Sequence, residues 1–178
     1  KDLIKRHEKN GGSKMKLRRY TKTTYNNVAY EFGNVMEYDG YYISMHNKID
    51  DKCIKYEWGG YIRPVTPDEI GDIYSVTPYA IYKGRKVELR GSKLFEKMAI
   101  APTSMYNENY EETMKVLGIQ HEYNGEDTIF VPATDLDFYE RVEYCDRYEY
   151  FKGIYEPYKV EDYHVIIKDG ELNRYKME

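Results

Sequence analysis

Short stretches of alternating apolar and polar residues, separated by pairs rich in glycine and asparagine, dominate the chain. Lys86-Val87-Glu88-Leu89-Arg90 puts Val87 and Leu89 on one side of an extended segment, the period of two expected of a half-buried strand. Val28, Tyr30 and Phe32 alternate in the same way after Asn26-Asn27, as do Ile54, Tyr56 and Trp58 before Gly59-Gly60. Lys83-Gly84, Asn26-Asn27, Asp39-Gly40 and Asp169-Gly170 read as hairpin turns, because Gly and Asn reach the positive φ that two-residue turns need. Asp39-Gly40 would join strands at 35–38 and 41–44, and Asp169-Gly170 strands at 165–168 and 171–175. A helical period appears over 107–117: Tyr110, Met114 and Leu117 share a stripe, and Gly118 supplies a stop.

The chain also resembles itself. Residues 61–84, YIRPVTPDEIGDIYSVTPYAIYKG, match 129–153, IFVPATDLDFYERVEYCDRYEYFKG, with one insertion. Pro64 aligns with Pro132, Thr66 with Thr134, Ile73 with Val142 and Val76 with Cys145. Tyr79 then aligns with Tyr148, and Lys83-Gly84 with Lys152-Gly153. A weaker echo relates 23–32 to 80–89. The register predicts a duplicated supersecondary unit. In each copy a capping sequence opens a helix of about two turns: Thr66-Pro67-Asp68-Glu69 in one, the looser 134–137 in the other. Ile70 and Ile73, or Leu136, Tyr139 and Val142, would turn inward, and a strand, a Lys-Gly turn and a second strand would follow. The expected fold is therefore α+β: a mostly antiparallel β-sheet built from duplicated helix–strand–turn–strand units with short helices. Residues 1–14 would be a flexible basic leader. Residues 15–178 would form a single repeat-built domain, with units near 20–76, 77–145 and 146–178.

Composition changes one inference. A mean hydropathy of -0.84 suggests disorder, but 22 tyrosines among 178 residues do not; a phenol scores as polar while its ring buries a large apolar area. No apolar stretch approaches the ~18 residues of a membrane span, and no secretory signal is evident at the start, so the expected compartment is the cytoplasm. Cys53 and Cys145 are too few for a disulfide scaffold. Cys145 is expected to act as a small core hydrophobe. Charge is asymmetric. Residues 1–20 carry eight Lys/Arg against Asp2 and Glu8, a net of +6, while 107–150 carry twelve Asp/Glu against Lys115, Arg141 and Arg147, a net of -9.

No phosphate-binding loop, dinucleotide fingerprint, zinc-hydrolase motif or nucleophile elbow is present, and no cofactor or metal is expected. His7, His46, His121 and His164 are scattered; His121-Glu122 would diverge on a strand. Cys53 with His46 and Asp50 or Asp51 is a sequence neighbourhood rather than a catalytic constellation. Lys14, Lys16, Arg18 and Arg19 beside Tyr20 and Tyr25 could grip a nucleic acid, but the pI near 5.7 opposes it. What remains is a binding face made of Asp135, Asp137, Glu140, Glu143, Tyr144, Asp146, Tyr148 and Glu149. On the expected helix Asp137, Glu140 and Tyr144 share a side opposite Leu136, Tyr139 and Val142. Carboxylates interleaved with rigid aromatics suit a protein interface. The corresponding helix expected in the other copy, with Asp68, Glu69 and Asp72, is the second candidate.

Acidic, tyrosine-rich α+β chains of this size without catalytic motifs resemble immunity proteins of bacterial polymorphic or contact-dependent toxin systems. The strand–Lys-Gly–strand units and the Pro64-Val65…Glu69-Ile70 segment carry the likeness, over residues 20–158. It implies a non-catalytic cytoplasmic inhibitor that binds a basic toxin domain, such as a nuclease. An inhibitor from a phage or mobile element with a DNA-mimicking acidic face is the alternative, as is a general protein-interaction adaptor.

Overall fold

The computed structural model describes residues 15–57, 59–103, 109–119 and 127–178. The expected leader at 1–14, Trp58, the start of the expected helix at 107 and the His121-Glu122 pair lie outside the described residues. Twelve strands and two short α-helices are present among those described, and the registered strand pairs are antiparallel. The residues group into two compact units.

One unit comprises Tyr20–Val76 and Val142–Val160. It holds β1 (Tyr20–Tyr25), β2 (Val28–Val35), β3 (Tyr38–Met45), β4 (Ile54–Lys55) and β5 (Tyr61–Pro64). It also holds the start of β6 (Ile73–Tyr82), the end of β10 (Asp137–Cys145) and helix α2 (Arg147–Phe151). Phe32, Ile43, Val65, Ile70 and Ile73 form its core, with Tyr25, Tyr30, Tyr41, Tyr150 and Phe151 packed against them. Buried Arg63 crosses beneath, its Nε 2.6 Å from Asp50 Oδ2, its Nη2 3.0 Å from Glu69 Oε1 and its guanidinium 4.4 Å from the Tyr25 ring.

The other unit draws on the described parts of Lys1–Arg19, Thr77–Arg141 and Glu161–Glu178. It contains β7 (Arg85–Leu89), β8 (Lys97–Pro102), α1 (Tyr110–Leu117), β9 (Ile129–Pro132) and β12 (Glu171–Lys176), with most of β11 (Lys159–Lys168). Leu17, Ala80, Val87, Leu89, Ile100, Phe138 and Val165 lie in its core. Val87 and Leu89 are both fully buried, which is the alternation of that segment realised. Helix α1 starts at Asn109, whose side chain accepts from Glu112 N, and stops at Gly118 with φ 70°.

The hairpin pairs at Asn26-Asn27, Lys83-Gly84 and Asp169-Gly170 all adopt positive φ at both residues, the I′ conformation whose twist suits flanking strands. Asp39-Gly40 does not turn the chain. Met36-Glu37 joins β2 to β3. Asp39 and Gly40, the latter at φ 94°, lie within β3 where the register slips between Gly33↔Tyr42 and Val35↔Tyr38. The left-handed residue serves a bulge instead.

The helices expected at 66–73 and 134–144 shrink to three-residue 3-10 turns, Pro67–Glu69 and Ala133–Asp135. Glu69 does reach back to Thr66 N at 3.0 Å, but Ile70 returns to extended φ and the chain enters β6. The segment 137–145 is a strand: Phe138, Glu140 and Val142 are buried, and the residues between them are less so. Both places thus run strand, 3-10 turn, long strand. Beyond that they part, because Lys152-Gly153 closes a helix where Lys83-Gly84 closes a hairpin. Ile154 N bonds Glu149 O and Gly153 N bonds Tyr150 O, both at 3.0 Å, and Gly153 has φ 84°, the paired bonds of a Schellman cap.

Candidate functional site

Asp146 organises the acidic, aromatic end of the first unit. It caps α2, accepting from Tyr148 N at 2.9 Å and Glu149 N at 3.0 Å. The cap sets the direction of a five-residue helix that could not persist alone. It aims Tyr148 across to the 3-10 turn, where its hydroxyl donates to Asp68 Oδ1 at 3.0 Å. Ten residues on, Tyr158 donates to Asp72 Oδ2 at 2.9 Å, and its own N–H is held by Tyr144 O at 2.9 Å. Arg147 lies 3.9 Å from Asp72 and 5.0 Å from the Tyr148 ring centre. The hydrogen bond to Asp72 raises the Tyr158 hydroxyl pKa.

A second group of rings adjoins α2. Tyr150 packs edge-on against Tyr155 at 4.6 Å, and the Tyr155 and Tyr41 hydroxyls meet at 3.0 Å. Burial and then the Tyr155 hydrogen bond push Tyr41 up to about 12. Tyr148, Tyr155 and Tyr158 remain 43%, 56% and 62% exposed. They are large aromatic surfaces held still by half-buried rings and by carboxylates, with little rotamer freedom left to lose on binding.

The residues expected to form a binding face are therefore divided. Asp146, Tyr148 and Glu149 belong to this surface, and Tyr144 supports it, half-buried under Lys159 whose Nζ is 4.7 Å from its ring. Glu143 is half-buried near the end of β10. Asp135 and Asp137 are exposed in the other unit. Glu140 faces the core and cannot meet a partner. It is fully buried, accepting from Arg18 N and Nε, both at 2.6 Å, and from Arg174 Nε at 2.7 Å and Nη2 at 3.0 Å. Burial raises its pKa, but the Arg174 and Arg18 hydrogen bonds outweigh that and hold the carboxyl below the ordinary range. The shared helical face of Asp137, Glu140 and Tyr144 does not exist, because a strand alternates its side chains.

The acidic turn at Asp68 and Asp72, a separate candidate in the sequence, lies on the same surface as α2. Tyr155 and Tyr158 were missed; their signal was the three-residue spacing in Tyr155-Glu156-Pro157-Tyr158 beside an acidic helix. Among the described residues no group of three or more His, Cys, Asp and Glu could hold a metal ion, and no helix is long and apolar enough to cross a membrane.

No curated protein and no solved structure matches the chain. A family match covers residues 15–103, taking in Tyr41, Asp68 and Asp72 but not α2. That span is half of the 178 residues, and the chain belongs to the family described as Uncharacterised conserved protein UCP033725.

Proposed function

We propose that this is a non-catalytic binding protein that holds a basic protein partner on the tyrosine–carboxylate surface of α2 and the Pro67–Glu69 turn. The partner class is a bacterial toxin domain that it neutralises in the cytoplasm, as the resemblance to immunity proteins implies. One observation carries the reading: exposed Tyr148 and Tyr158 are pinned by Asp68 and Asp72. Each of these carboxylates spends one lone pair on a tyrosine and keeps others for an incoming Arg or Lys. Fixed rings supply buried area while the acids steer association.

The test is calorimetric titration with the product of the neighbouring gene. Tyr155→Ala and Tyr158→Ala should each weaken binding by about 2 kcal/mol, roughly thirtyfold, as central aromatic anchors do. Asp68→Lys should slow association, most strongly at low salt. Near-native melting temperatures in all three variants are required. Affinity and salt dependence unchanged across the three would refute this surface as the interface.

A further inference from the structure

Strand β12 has β11 as its only paired neighbour among the described residues. Its alternation fixes which backbone groups remain outside. Met177 N donates to Asp162 O at 2.9 Å, and the register sets Tyr175 opposite His164 and Asn173 opposite Ile166. Odd-numbered residues of β12 therefore bond β11, and the N–H and C=O of Leu172 and Arg174 point to the open edge. Among the described residues the Leu172 carbonyl meets Arg174 Nη1, at the long distance of 3.5 Å.

From this edge we infer that the chain pairs with a second copy of itself, β12 against β12, about a two-fold axis at Asn173. A two-fold axis normal to the sheet keeps each face on its own side, so only residues of like parity can stand opposite. Centring on Arg174 would set two guanidinium groups side by side, which like charges disfavour. Centring on Leu172 would draw in Asp169 and Gly170, which are committed to the I′ turn. The Asn173 centre uses five strand residues and has neither fault. Leu172 and Arg174 exchange backbone hydrogen bonds with Arg174 and Leu172 of the other copy. On the outer face Asn173 meets Asn173, amide to amide, and Glu171 of each copy meets Tyr175 of the other, carboxylate to phenol.

Lys168 stands beside Glu171 and His164 beside Tyr175 in the register of β11, so each outer row would read lysine, glutamate, tyrosine, histidine across the two copies. Ile166, 42% exposed and opposite Asn173, and Tyr175, 54% exposed, would lose water together at the centre. Closed two-fold pairing also removes an open edge that would otherwise recruit other chains.

Two measurements test this on the whole chain. Light scattering after size exclusion should give twice 21.3 kDa at high micromolar concentration. Asn173→Lys, which places two ammonium groups at the axis, should halve that mass while leaving the melting temperature near native. Cysteine scanning then reads the register. Asn173→Cys should form a disulfide-linked dimer on mild oxidation, because facing residues in a non-hydrogen-bonded pair sit about 4.5 Å apart. Glu171→Cys and Tyr175→Cys, taken singly, should not. A monomer at every concentration, a dimer indifferent to Asn173→Lys, or equal cross-linking at all three positions would each overturn the inference.

Discussion

Replacing Glu140 tests the most deeply buried charge among the described residues. Glu140→Gln keeps the shape of the side chain and removes its charge. In the native protein the carboxylate is 0% exposed and accepts four hydrogen bonds from two arginines, all between 2.6 and 3.0 Å. The amide that replaces it must turn an NH2 group toward a donor, so at least one arginine N–H loses its acceptor. Removing one partner of a buried ion pair costs about 3–5 kcal/mol. The Arg18 and Arg174 side chains are 33% and 27% exposed and can recover some hydration, which places the expectation near the lower end, about 3 kcal/mol. For a chain of this size that is a fall in melting temperature of roughly 6–12 °C.

Urea unfolding at neutral pH and scanning calorimetry give the magnitude, and the pH dependence gives the cause. The folded-state pKa of Glu140 lies below its ordinary value, so the unfolded chain takes up a proton more readily. The contribution is whole above the unfolded pKa of about 4.3 and is lost as pH falls through the lower folded value. Glu140→Gln should flatten that part of the acid limb. Replacing all three charges, Arg18→Met with Glu140→Leu and Arg174→Met, should recover much of the loss, since no buried charge is then stranded. A Glu140→Gln loss below about 1 kcal/mol with an unchanged acid limb would refute the argument.

The second buried ion cluster behaves alike. Arg63→Lys replaces a fork that bonds Asp50, Glu69 and Pro64 O with a point charge, and urea unfolding should show a loss of about 2–3 kcal/mol. Arg63 hydrogen bonding lowers Glu69 to about 2 and Asp50 in the same direction. The Glu69 contribution should be full above about pH 4.5 and vanish as pH falls toward about 2; wild-type stability that is flat across that range would contradict it. Gly60→Ala should destabilise by at least about 2 kcal/mol, because φ is +79° and a Cβ would sit 2.7 Å from Met45 O. Gly33→Ala, whose Cβ meets nothing within 4 Å, should be neutral or slightly stabilising by thermal melting.

Elements whose cause lies within a few residues were legible in the sequence. Asn26-Asn27, Lys83-Gly84 and Asp169-Gly170 carry their turn chemistry in two residues, and α1 carries its cap and stop within ten. Strand β10 was not legible because its core face reads Phe138, Glu140, Val142. A charge at the centre of the buried row destroys the apolar alternation and leaves a spacing that imitates a helix. The residues that make Glu140 tolerable there, Arg18 and Arg174, are 122 and 34 positions away. Lys152-Gly153 illustrates the same limit. A glycine with positive φ closes a hairpin after a strand and a helix after Asp146, and the dipeptide does not say which.

Charge counted along the chain proved to be a different quantity from charge presented on a surface. The net of -9 over 107–150 looked like one acidic face. Glu140 spends its charge in the core and Glu112 pairs with Arg85 at 2.8 Å, while Asp135 and Asp137 lie in the unit that does not contain α2. The surface that is both acidic and aromatic takes two of its carboxylates, Asp68 and Asp72, from outside that interval, and its most exposed tyrosine, Tyr158, from beyond its end. Tyrosine hydroxyls select these acids by hydrogen bonding to them. In a chain so rich in tyrosine, the carboxylates we propose for recognition are those a phenol holds in place.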